Sequence, residues 1–212
     1  MSGKRLCVAL LSVVTMLVAS GIAQDEKNEL GGILGRTFIS NQGIKNASTP
    51  SVIAFGKGIT FEVNYSRRFL VTPLYALSGE VVFAYNPDED INAGSFGNAI
   101  APPNMKELFV TPAARVNLFP TTAVSPWVSL GAGFGHFSQS STLIYGGSNP
   151  AKSSTTGVFE GGLGLDVKVS RRIFIRAQVR DFLSGEPDFP LAPTGKNHQH
   201  NFFVGGGAYW RF

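Results

Sequence analysis

The 212-residue chain has a single cysteine, Cys7. It lies in the N-terminal apolar run, ahead of any position where a lipoprotein cysteine would stand. A disulfide framework is therefore excluded from the rest of the chain. Charge is also scarce, at 15% of residues. The formal net charge of +4 falls to +2 when Lys4 and Arg5 are set aside, leaving 16 basic against 14 acidic residues. That balance is too weak for a nucleic-acid partner. No phosphate-cradling loop, nucleophile elbow or His/Cys metal cluster occurs, so no cofactor is expected. Beyond residue 23 no apolar run approaches the roughly 20 residues of a spanning helix.

The N-terminus has the three parts of a secretory signal. Lys4 and Arg5 are the positive region, residues 6–18 the apolar region, and Gly21-Ile22-Ala23 the small residues at the cleavage site. Residues 1–23 are thus expected to be a signal peptide, with Gln24 opening the mature chain. The apolar region is too short for a transmembrane anchor.

What the chain has in quantity is glycine, 25 residues, and aromatic residues, 11%. The aromatic ending 201–212, Asn-Phe-Phe-Val-Gly-Gly-Gly-Ala-Tyr-Trp-Arg-Phe, has a period of two. Phe212, Trp210, Ala208, Gly206, Val204 and Phe202 form an uncharged face, and Arg211, Tyr209, Gly207, Gly205 and Phe203 the other. Such alternation marks a strand. An aromatic face at its end suits a membrane–water boundary. This ending resembles the terminal strand of bacterial outer-membrane barrels. The resemblance implies that Trp210 and Phe212 belong to the signal read by the barrel-insertion machinery.

Seven further segments read as strands: 30–39, 58–66, 74–85, 106–118, 126–137, 157–169 and 173–181. The first is the least regular; Ile33, Thr37 and Ile39 are expected to face out and Arg36 in. In 58–66, Ile59, Phe61, Val63 and Tyr65 alternate with Thr60, Glu62 and Asn64. Arg67-Arg68, residues 119–125 and Ser170-Arg171-Arg172 read as short turns. Residues 41–57, 86–105, 138–156 and 182–199 read as long loops. An even strand number with long and short connections in alternation predicts an all-β fold: an eight-stranded antiparallel transmembrane up-and-down β-barrel over residues 24–212. A soluble β-sandwich or lipocalin-like barrel shares the alternation, but its outer face would carry more charge.

Residues 126–136, 159–167, 170–172 and 175–182 carry a wider resemblance, to the small outer-membrane barrels of the OmpA transmembrane-domain, OmpX and opacity-protein type. It covers nearly all of the mature chain. It implies a porin-like or adhesin-like protein of the Gram-negative cell outer membrane, with both termini periplasmic. It also implies contact with outer-membrane lipids and lipopolysaccharide, periplasmic chaperones on the way to insertion, and surface ligands at the loops. Unlike full OmpA proteins, the chain is expected to carry no peptidoglycan-binding domain after the barrel.

The inward positions predict the chemistry. Glu62, Glu80, Arg115, Glu160, Asp166, Lys168, Arg176 and Arg180 are expected to meet in the lumen. Charges there must pair, because an isolated buried charge is costly. The expected role is structural or surface-interacting, with a plugged lumen and no enzymatic activity. The alternatives are a small passive pore and a lipid A-modifying hydrolase. The latter would use His136 and Ser138 with Glu160, since His-x-Ser resembles the motif of lipid A deacylases; Gln139 departs from it where Asn usually follows. Three weaker features read as ordinary polar surface: His198-Gln199-His200, Asp88-Glu89-Asp90 and the Arg pairs.

Overall fold

A computed structural model describes residues 26–43, 52–92, 101–144, 146–150, 153–186 and 198–212. The expected signal peptide and parts of all four long loops lie outside these residues. Among the described residues there are ten strands: β1 (Asn28–Ile39), β2 (Gln42–Gly43), β3 (Val52–Phe55), β4 (Ile59–Val71), β5 (Tyr75–Asn92), β6 (Asn104–Leu118), β7 (Val124–Gln139), β8 (Ser153–Lys168), β9 (Ile173–Ser184) and β10 (Gln199–Arg211). The eight long strands pair antiparallel, neighbour to neighbour, and β1 pairs with β10. The sheet is closed and leaves no edge, as spanning a bilayer with strands requires.

The alternation foreseen along the chain sets the wall. Leu130, Phe159, Leu163 and Val128 stand outward, each more than half exposed, while their neighbours in sequence point into the barrel. β2 and β3 form a small hairpin over the long-loop end, where β3 adds to β5 through Ala54↔Asn92 and Phe55↔Ile91.

The seam between β1 and β10 is built on glycine: Gly35 faces Gly205, Leu34 faces Gly206 and Ile33 faces Gly207. A Cβ on Gly207 would lie 2.1 Å from the Gly32 carbonyl oxygen, so the strands approach only because none is there. This register also corrects the expected faces of the first strand. Cross-strand partners share a face, and Leu30, Leu34, Arg36 and Phe38 lie opposite Trp210, Gly206, Val204 and Phe202. Arg36 therefore points out, whereas Ile33, Thr37 and Ile39 point in.

Several boundaries move as well; β9, for one, runs on to Ser184 and takes in Phe182. Arg67-Arg68 is not a turn: β4 runs on to Val71, Arg68 is buried, and a β-bulge follows before Leu70. Likewise β5 extends to Asn92, beyond the expected end at residue 85. A bulge between Asn86 and Glu89 inserts one extra residue, with Pro87 inside it. One extra residue exchanges the two faces of a strand. Glu89 thereby turns inward, while Asp88 and Asp90 stay exposed.

Candidate functional site

The interior has three layers stacked along the barrel axis. The layer toward the short turns is ionic. Glu29 meets Arg68 at 3.0 Å, Arg211 at 2.9 Å and Arg115. Arg115 also reaches Glu80 at 2.9 Å. Arg180 contacts Glu80 at 2.9 Å, Glu160 at 2.6 Å and Glu62 at 3.4 Å. Arg176 donates two hydrogen bonds to Asp166, at 2.7 and 2.9 Å. Five carboxylates thus face five guanidiniums, so the layer is neutral, and none of the ten residues is more than 8% exposed.

Neutral donors and a ring fill the gaps between these charges. Gln178 donates to Glu62 at 2.6 Å and Ser129 to Glu160 at 2.9 Å. Trp127 Nε1 donates to Asp166 at 3.1 Å. Its ring lies 4.9 Å from the Arg176 guanidinium and 5.0 Å from that of Arg180, within cation–π range.

Of the residues anticipated for the lumen, Glu62, Glu80, Arg115, Glu160, Asp166, Arg176 and Arg180 come together here. Lys168 does not: it is exposed at the end of β8, outside the network. Glu29, Arg68 and Arg211 join without having been anticipated. Arg211 was legible, being on the inward parity of the terminal strand. Glu29 lies just ahead of the first expected strand, 30–39, and Arg68 in an expected turn, so neither had a strand parity to read.

The middle layer is aromatic. One inward step up β9 from Arg180 is Phe182, and one up β6 from Thr111 is Phe109. These rings stack at 4.8 Å, and Phe137 meets Phe109 edge-on at 5.8 Å. Phe203, Ile33, Val82 and Val158 complete a dry plug across the bore.

The third layer, toward the long loops, is polar and acidic. Glu107 is fully buried on β6, in register with Asn86, and no cation among the described residues pairs with it. Glu89 accepts from the Asn86 side chain at 2.7 Å and from the Gly58 backbone N–H at 2.9 Å. A Cβ on Gly58 would lie 2.5 Å from both Glu89 and Asn86, so glycine makes this contact possible. The outward residues Asp88 and Asp90 are exposed, which puts this layer beyond the apolar belt. Burial raises the pKa of Glu107 well above the ordinary carboxylate value, and the Glu89 charge raises it further, against a smaller opposing pull from the Asn86 side chain. Burial also raises Glu89, against the opposing pull of its two hydrogen bonds.

The other sequence candidates fall elsewhere. His136 and Ser138 share the outward face with Phe134, whereas Glu160 is inside, bound to Arg180. The wall of the barrel thus separates Glu160 from His136 and Ser138. His136 Nδ1 instead meets Thr155 Oγ1 at 2.8 Å. His200 Nδ1 pairs with Asp181 at 2.7 Å, and its ring stacks on Phe202. Among the described residues no three His, Cys, Asp or Glu side chains converge on a metal position. Trp210 is outward, Phe212 stacks on it at 4.6 Å, and Phe212 continues the backbone ladder to Asn28.

No protein-family model and no curated protein sequence matches the chain. Solved structures do. The outer membrane protein OprG from Pseudomonas aeruginosa superposes with a TM-score of 0.56 at 13% identity, over 88% of this chain and 95% of that one. Neisserial surface protein A gives 0.54 at 12% identity, over 87% and 97%. The outer membrane protein AlkL gives 0.52 at 12% identity, over 90% and 92%. At these identities the likeness speaks for architecture, and it agrees with the closed wall and apolar belt derived above. The chain has the fold of the small eight-stranded outer-membrane β-barrels.

Proposed function

We propose that this protein is a non-conducting barrel of the cell outer membrane, with a structural or surface-interacting role carried by its long-loop end. The observation that carries the reading is the double seal of the lumen. A neutral ionic layer with 0–8% exposure is closed above by stacked Phe109 and Phe182. Eight strands leave a bore that side chains just fill, and here they fill it with charge paired to charge and ring against ring. A small passive pore would need a continuous wet path through both layers. With the bore closed, the parts left to act are the outer wall and the loops, the second rich in Ser, Thr, Gly and Asn. In this reading both termini are periplasmic, and Trp210 with Phe212 serves barrel insertion.

The test compares attachment to epithelial monolayers by cells displaying the intact barrel and by cells in which residues 140–152 are replaced by a short Gly-Ser turn. The reading expects attachment to fall while the heat-modifiable gel mobility of the barrel is kept. Equal attachment removes the surface-interaction assignment for that loop.

A further inference from the structure

Arg36 stands on the outer wall, and no described residue pairs with it. It is the exception among the strand arginines that the sequence assigned to the interior: Arg115, Arg176 and Arg180 are all buried and ion-paired. Around it Leu34, Gly35, Phe38, Ile59 and Val204 line a shallow groove of about 450 Å³. The groove crosses the β4–β1–β10 seam, where glycines keep the wall thin. Lys57 lies above it, with Nζ 5.7 Å from the centre of the Phe38 ring. The outward acid opposite Phe202, Asp181, is taken by His200 at 2.7 Å. The groove therefore has apolar walls and, among the described residues, positive charge at its upper lip with no carboxylate paired to it.

The height of Arg36 limits what can meet it. Leu30, opposite Trp210, marks the short-turn rim, and Arg36 is six residues higher on the same strand. At about 3.3 Å per residue and a tilt near 40°, that is roughly 15 Å up an apolar belt of about 25 Å. From there an extended arginine reaches the headgroup level of the leaflet on the long-loop side, keeping its stem in the apolar layer. A lipid-facing guanidinium is costly unless an anion meets it. A phosphate matches it best, through two parallel N–H···O bonds.

We propose that this groove seats an acyl chain of a phosphorylated lipid A-type glycolipid, with Arg36 on a lipid phosphate and Lys57 reinforcing it. The lipid class rests on the orientation stated under Proposed function, which puts the long loops outside and the groove in the outer leaflet. The groove itself rests on the geometry alone.

The test reconstitutes the wild type, Arg36→Ala and Arg36→Lys into nanodiscs with bisphosphorylated lipid A, dephosphorylated lipid A or phosphatidylglycerol. Retained lipid is then read by native mass spectrometry, with heat-modifiable mobility as the folding control. The expected result is selective retention of bisphosphorylated lipid A by the wild type. Retention should be about tenfold weaker for Arg36→Ala and intermediate for Arg36→Lys, which keeps charge but loses the planar fork. Leu34→Ser, in the groove wall, should also weaken it. Equal retention by the wild type and Arg36→Ala overturns the groove and leaves the orientation untouched. Preference for phosphatidylglycerol, abolished by Arg36→Ala, overturns the outer-leaflet assignment while keeping the groove.

Discussion

Arg180→Met is the perturbation that probes the ionic layer most sharply. Arg180 is fully buried and is shared by Glu160 at 2.6 Å, Glu80 at 2.9 Å and Glu62 at 3.4 Å. Methionine retains much of the stem volume, so the change is mainly loss of charge. Glu80 keeps Arg115 at 2.9 Å and Glu62 keeps Gln178 at 2.6 Å, but among the described residues Glu160 keeps only the neutral donor Ser129 at 2.9 Å. Removing one partner of a buried pair costs about 3–5 kcal/mol, because the other charge is left behind. Losing the central cation puts this variant toward the upper end. With a urea slope of about 2 kcal/mol per molar, the unfolding midpoint should fall by roughly 2 M. Unfolding of the barrel in lipid vesicles, followed by heat-modifiable gel mobility, measures this directly. Adding Glu160→Gln should recover a substantial part of the loss, since the stranded charge goes with it. A midpoint change equivalent to less than about 1 kcal/mol, the range of solvent-exposed pairs, would refute a dry ionic layer.

Three further outcomes follow from the other two layers and from the terminal strand. Phe182→Ala removes the ring stacked on Phe109 at 4.8 Å and should destabilise the barrel by about 3–5 kcal/mol in the same unfolding assay. Glu107→Gln tests the acidic mouth. The folded pKa of Glu107 is raised, so its contribution to stability is fully present below the unfolded value near 4.5 and is lost as pH rises through the folded value. The variant should therefore be more stable than the wild type at pH 8, and the gap should close as pH falls toward 4. Phe212→Ala removes the ring stacked on Trp210 at 4.6 Å and should slow insertion, read as more protein held in the periplasm at equal expression.

Much of the wall was legible in the sequence because one face of each strand meets lipid. In β4, Ile59, Phe61 and Val63 alternate with Thr60, Glu62 and Asn64, and the structure keeps that assignment. The first strand misled for a physical reason. Its glycines remove the side chains that would show alternation, and a charged Arg36 was assumed to point away from lipid. Its face is set by the partner strand, through Leu30↔Trp210 and Arg36↔Val204, and that information is not local. The extra residue at Asn86–Glu89 was equally hidden: a bulge exchanges inside and outside without changing composition, so Glu89 looked like part of a solvated acidic run. Phe203 was read onto the face of Arg211, and Phe109 and Phe137 have inward parity, but Phe182 lies one residue past the expected end of its strand, so the layer they form together was not foreseen. Glu29 and Arg68 were missed because both lie past the ends that the pattern assigned to their strands.

The most direct measurement of the central claim is single-channel conductance of the purified wild-type protein in planar bilayers. The ionic and aromatic layers predict only small or rare openings, and Arg180→Met should conduct no better while Phe109 and Phe182 still close the bore. A steady, large, water-filled conductance from the folded wild type would contradict the sealed barrel.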